Sequence, residues 1–214
     1  MRTSTVQPFR SSSVAPQRLA PRRSLARCKA AVSPAALTDI EKQALATYKS
    51  SSSSPSKADA LQLLKRAAAT KSVPAETVEG ALLALEQFAA QEKTGSTPSI
   101  AGSWRLLFGT ATKFRPFQYI PVKEDFVLDE ADKTVVLEST LGPFEFFIRG
   151  VMASWRPESG ELQFQFTKVD IHFAGNKVWE VSPKSKPKTY TFFHVSPDMA
   201  CARSSAGGVA LMVK

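Results

Sequence analysis

The hydrophobic period of this chain changes once, at Ile100-Ala101-Gly102-Ser103-Trp104-Arg105-Leu106-Leu107-Phe108, and that change constrains the fold more than any other feature. Before it, apolar residues recur every three or four positions. After it, they fall on alternate positions, as strands with one buried face require. Trp104, Leu106 and Phe108 begin the pattern. A glycine two residues ahead of a tryptophan is one way small antiparallel barrels open their first strand. The glycine permits close backbone approach and the indole covers one end.

Twelve of the 14 phenylalanines lie beyond residue 100. Phe126 and Leu128, Val135 and Leu137, Phe144, Phe146 and Ile148, Val151, Ala153 and Trp155, Leu162, Phe164 and Phe166, and Val169, Ile171 and Phe173 alternate in turn. Asp129 to Lys133, Leu141-Gly142-Pro143 and Pro157-Glu158-Ser159-Gly160 supply turns between them. Tyr190 and Phe192, Met199 and Cys201, and Val209, Leu211 and Val213 give the closing strands, with a turn at Gly207-Gly208. About eight to ten short antiparallel strands predict a closed up-and-down barrel, with a two-sheet sandwich as the competing arrangement.

The half before residue 95 reads as helix. Leu37, Ile40, Ala44 and Tyr48 are helically spaced, and a Ser-rich linker over 50–55 follows. A second helix over about 56–70 carries Leu61, Leu64 and Ala68. A third has Pro74 near its first turn, Glu76 and Glu79 where the dipole favours acids, and Val78, Leu82, Leu85 and Phe88 on one face. These short amphipathic helices can pack on the β domain, on each other or on a membrane surface. Their polar faces mix acids with bases, which favours packing over the Lys/Arg excess of interfacial helices.

The net charge of +9 is local: the first 38 residues carry seven bases and no acid. Rich in Ser, Pro, Ala and Arg and without a continuous apolar core, residues 1–30 read as an organelle transit peptide, plastid rather than mitochondrial, processed near Leu25-Ala26-Arg27-Cys28-Lys29-Ala30. The other reading is a basic tail for nucleic acid or lipid headgroups. Its arginines are scattered and no aromatic alternates with them, so no nucleic-acid partner is expected. The predicted organisation is a transit peptide over 1–30, a helical segment over 31–94 and a β domain over 95–214. After processing, Cys201 would be the remaining cysteine, which excludes an internal disulfide and a Cys-based zinc site.

The order of these parts resembles the plastid lipid-associated proteins, the fibrillins of plastoglobules and thylakoids. The likeness lies in Leu61-Gln62-Leu63-Leu64, Ala81-Leu82-Leu83-Ala84-Leu85-Glu86, Gly102 to Phe108, and the terminal Ser196-Pro197-Asp198-Met199, Arg203 and Gly207 to Val213. The resemblance implies an α+β protein, mainly β with N-terminal helices, whose lipocalin-like antiparallel barrel holds or coats prenylquinones, carotenoids, tocopherols or fatty acids in the chloroplast. It implies peripheral attachment to thylakoid or plastoglobule surfaces. By lipocalin analogy, Gly102 and Trp104 open the barrel and Arg203 stacks across Trp104. Ala206, where the family is usually polar, and the basic loop Ser182 to Lys188 depart from its pattern.

The expected ligand-facing interior is Leu106, Phe108, Phe126, Phe144, Phe146, Phe164 and Phe166, either as a lined pocket or as a filled core. No catalytic residue, metal site or cofactor is expected. The sequence has no His-Glu-x-x-His, Gly-x-Ser-x-Gly or phosphate-cradling loop. Asp170 and His172 share a strand face, predicted to be the outer one. A non-catalytic docking module for a plastid lipid- or quinone-metabolising enzyme is the alternative function.

Overall fold

The structure is a computed structural model that describes residues 37–50, 55–92, 95–111 and 117–214. The segment read as a transit peptide and most of the Ser-rich linker lie outside these residues. Three helices, α1 (Asp39–Ser50), α2 (Lys57–Thr70) and α3 (Ala75–Gln91), precede nine strands. The strands are β1 (Gly102–Gly109), β2 (Lys123–Asp129), β3 (Thr134–Leu141), β4 (Phe144–Arg156), β5 (Glu161–Phe173), β6 (Asn176–Val181), β7 (Lys188–Val195), β8 (Met199–Ser204) and β9 (Val209–Val213).

The sheet is antiparallel and closes on itself. β1 pairs with β2 and β9, and β4 pairs with both β3 and β5, so eight strands follow one another in a barrel-like ring. β6 stands outside that ring. It pairs with the Val169–Phe173 half of β5, while β7 pairs with the Glu161–Phe164 half. β6 and β7 thus run along the same edge of β5, separated by a segment containing Pro183 and Pro187. Proline has no N–H to donate to a ladder, which accounts for the break. The gap is bridged by Ser185, whose hydroxyl donates to Phe166 O at 2.5 Å and whose carbonyl accepts from Gln165 Nε2 at 2.7 Å. The basic loop expected over 182–188 therefore follows β5.

Two bulges decide which side chains face inward. Between Leu106 and Phe108 the β1–β9 register slips, so Phe108 leaves the face Leu106 occupies and joins Leu211 under the helices. On β5 an extra residue between Phe166 and Lys168 lets Leu162, Phe164 and Phe166 share the inner face with Val169, Ile171 and Phe173. Val151, expected to alternate with Trp155 on the buried side, is instead outward and half exposed, because Gly150 and Met152 take the inner positions before a further slip.

Two apolar clusters result. The inner one joins Trp104, Phe126, Leu128, Leu162, Phe164, Phe192 and Met212. The outer one joins Met199, Cys201, Val209 and Leu211 to the helices, chiefly to α3, whose Val78 to Leu85 are buried. α1 crosses α3 closely: a Cβ on Gly80 would meet Ala44 O at 2.3 Å, so only glycine fits there. α2 is held at its start by a capping box between Ser56 and Asp59. The helices pack on each other and on the sheet, the outcome their mixed polar faces favour.

Candidate functional site

Trp104 closes one end of the ring. It is fully buried, and its Nε1 donates to Ile100 O at 2.8 Å. Gly102 adopts φ +119°, and a Cβ there would press on Lys214 Cε and Nζ at 3.2 Å. That lysine, not Arg203, covers the indole: Lys214 Nζ lies 4.4 Å from the Trp104 ring centroid and donates to Ala101 O at 3.2 Å.

The expected stacking of Arg203 on Trp104 is therefore corrected. Arg203 shares the parity of Met199 and Cys201 on β8, which places it on the outer face, away from the indole. Its guanidinium makes a two-pronged contact with Glu86, Nε to Oε1 at 2.5 Å and Nη2 to Oε2 at 2.6 Å, and reaches Glu41 Oε1 at 2.9 Å. The Glu86 carboxylate, then Glu41, holds the Arg203 proton still more firmly than usual. Burial raises the Glu41 pKa, but hydrogen bonds from Thr38 and Arg203 outweigh it and leave the group below its ordinary value. Glu79, buried close by, is pushed up by burial and by the Glu41 charge. Arg203 thus fastens α1 and α3 to the sheet.

Inside the ring, the expected residues divide. Leu106, Phe126, Phe164 and Phe166 face inward. Phe126 and Phe164 are 5.6 Å apart between ring centroids, Phe164 and Phe166 5.3 Å, and Tyr190 lies 5.7 Å from Phe126 and 5.2 Å from Phe164. These rings touch and are packed as a core. Phe108, turned out by the bulge, packs edge-on to Tyr119 at 5.2 Å and is not an interior residue.

Phe144 and Phe146 keep the inward parity but stand beyond the packed cluster, because β3, β4, β5 and β6 extend past it. Cross-strand rows make this extension one apolar face: Leu137, Ile148, Val169 and Val181, then Phe146, Ile171 and Trp179, then Leu141, Phe144 and Phe173. Much of it meets water, with Phe144 40%, Phe173 45%, Leu141 58% and Trp179 61% exposed. Phe144 lies 5.0 Å from Phe173 and 6.4 Å from Phe146.

The opposite face of the same strands is charged. Asp170, buried, sits between Lys177 Nζ at 2.7 Å, Arg149 Nε at 3.2 Å and Lys168 Nζ at 3.7 Å, and Glu180 joins through Lys168 at 3.1 Å and through Lys177. The Lys177 ammonium, then the Arg149 guanidinium, holds the Asp170 carboxyl down to about 2. His172 is on this outer face too, against the Phe147 ring at 5.0 Å. Both occupy the side the alternation predicts.

Three polar residues missed by sequence reasoning sit where the packed cluster meets the exposed face. Glu124 shares the parity of Phe126 and pairs with Ser139, in the row of Phe146 and Ile171. Tyr190 projects its ring into the cluster, and Lys188 lies with Nζ 5.3 Å from the Phe166 ring centroid. Burial pushes the Glu124 carboxyl up, and burial together with the Glu124 charge does the same to the Tyr190 hydroxyl. The signal for Glu124 was available, since it lies two residues before an inward Phe.

A separate groove of about 310 Å³ lies between α2 and the β8–β9 edge, lined by Lys65, Ala68, Ala69, Asp198, Met199 and Val213. Among the described residues no helix is long and apolar enough to cross a membrane, and none of their His, Cys, Asp and Glu side chains group as a metal site. No family model matches the chain, and no curated protein matches it.

Proposed function

We propose that this is a peripheral lipid-associating protein of the fibrillin type, active in the plastid, that binds or coats hydrophobic molecules at thylakoid or plastoglobule surfaces. One observation carries the reading: the inner surface of the ring continues past its packed part as a face of Leu141, Phe144, Phe146, Ile171, Phe173 and Trp179, which the described residues leave largely in water. A contiguous exposed apolar patch backed by a charged surface marks an interaction site rather than a core. The plastid assignment rests on the acid-free, Ser/Arg-rich N-terminus.

The packed rings of Phe126, Phe164, Phe166 and Tyr190 favour a second reading, in which the interior is filled and the apolar face docks onto a lipid- or quinone-metabolising enzyme. Flotation with galactolipid vesicles distinguishes the two. The wild-type chain should rise with the vesicles, and Phe144→Ser combined with Trp179→Ser should remain below. Both proteins should unfold at closely similar denaturant concentrations, because exposed substitutions seldom change stability by more than about 0.5 kcal/mol. Wild-type protein that stays below with every vesicle composition would leave the docking reading.

A further inference from the structure

We infer that the basic segment Ser182 to Lys188 and the exposed apolar face beside it form one docking surface for a lipid layer that carries anionic headgroups. This rests on the lipid-associating reading above and specifies the headgroup charge. Lys184, Lys186 and Lys188 are all exposed, and from Val181 to Pro197 the chain has no acid. Among the described residues none of the three makes an ion pair. The cations of the outer face differ, since Arg149, Lys168 and Lys177 are held by Asp170 and Glu180. The positive charge left without a counter-charge around β5 and β6 therefore sits in this segment.

The segment is fixed to the sheet next to the exposed face. It starts directly after Val181, which pairs with Val169 in an apolar row of that face, and it ends at Lys188, which pairs with Phe164 and so shares the inner side. Lys188 Nζ lies 5.3 Å from the Phe166 ring centroid. Between these ends Ser185 is tied to Phe166 O and Gln165 Nε2, and its own N–H donates to Pro183 O at 2.9 Å. Pro183 and Pro187 restrict the backbone further, so little chain entropy is left to lose on docking. Lysine is a point charge with no planar fork to match. Three lysines and no arginine suit an array of mobile headgroups better than the set phosphates of a nucleic acid. Apolar and aromatic side chains beside a basic cluster have the composition of an interfacial surface, in which Phe173, Trp179 and Val181 enter the acyl boundary and the lysines stay with the headgroups.

The test is flotation of the full chain with galactolipid vesicles, either neutral or with phosphatidylglycerol added. Wild type is compared with the triple variant Lys184→Gln, Lys186→Gln, Lys188→Gln. Each basic residue at an anionic surface contributes about fivefold to partitioning, so the triple variant should bind the anionic vesicles roughly 30-fold to 100-fold more weakly. The two proteins should bind neutral vesicles equally and unfold at the same denaturant concentration. The basic N-terminus is common to both, so the difference belongs to the segment. Salt at about 0.5 M should remove most of it. Lys186→Gln alone, at an exposed side chain, should lose about fivefold, which keeps the test open should the triple variant unfold. Phe144→Ser with Trp179→Ser should weaken binding to both kinds of vesicle. If that variant keeps full affinity for anionic vesicles, the lysines act apart from the apolar face and the single surface is wrong. If the lysine variants bind anionic vesicles as tightly as wild type, the inference is wrong and lipid association stands; loss of polyglutamate binding in those same variants would assign the segment to an acidic protein instead. If wild type floats with neither kind of vesicle, lipid association fails with it.

Discussion

The two ends of the ring share an inner face of similar composition and differ in what covers it. At one end Trp104 is enclosed by Ile100, Gly102 and Lys214, its N–H satisfied and its face under an ammonium. At the other, Phe144, Phe173, Leu141 and Trp179 leave about half of their surface uncovered by the described residues. Burial of an aromatic stabilises the fold only where something covers it. The covered end therefore contributes more to the stability of the domain than the uncovered one. The same contrast runs through the sheet at the uncovered end, where one face is apolar and the other is a network of Arg149, Lys168, Asp170, Lys177 and Glu180.

The sharpest way to break this comparison is at the closed end. Trp104→Ala removes a fully buried indole and should cost about 3–5 kcal/mol, read by urea denaturation. A loss as small as that at exposed Trp179 would mean the two ends are equivalent. Arg203→Met comes next. It keeps much of the side-chain volume but leaves Glu41 and Glu86 without their shared cation. Breaking a fully buried pair costs about 3–5 kcal/mol, and since 16% of the Arg203 side chain remains in water the loss should be nearer 2–3 kcal/mol. A double-mutant cycle locates the contact: Arg203 and Glu86 should couple strongly, whereas Arg203 and Trp104 should be additive within about 0.5 kcal/mol. Coupling of Arg203 to Trp104 instead would restore the lipocalin-like stack.

Alternation alone made much of this legible. The strand-rich second half, the turns at 130–133, 142–143 and 157–160, the helices before the sheet, and the inward set of Leu106, Phe126, Phe164 and Phe166 follow from period and turn chemistry. The failures have one main physical origin. Period-two reading propagates parity along a strand, and a bulge reverses it, so Phe108 and Val151 were assigned the wrong face. Arg203 went astray for a different reason: parity relates it to Met199 and Cys201 but does not say which side of the sheet the helices cover. Phe144 and Phe146 have the expected parity, yet their place beyond the packed cluster depends on how far β3 to β6 extend, which alternation does not encode. Lys214 carried no signal, since a lysine is ordinarily solvated.

The smallest expected effect is in pH, where the two faces of the extended strands should respond with opposite sign. Asp170 has a folded pKa of about 2, below its ordinary 3.8, because Lys177 and Arg149 favour its charged form. Its contribution is fully present above about pH 4 and is lost as pH falls toward about 2. Glu124, on the apolar face, has a raised pKa from desolvation. Its ionisation in the folded state is disfavoured, so its presence costs stability as pH rises through the ordinary carboxylate value toward the raised one. The melting temperature of Asp170→Asn should therefore lie below wild type near neutrality, with the difference closing in acid. That of Glu124→Gln should match or trail wild type in acid and gain on it as pH rises. If the Glu124→Gln difference instead closes in acid as Asp170→Asn does, Glu124 has a cationic partner, and the uncovered end is less apolar than its exposed rings suggest.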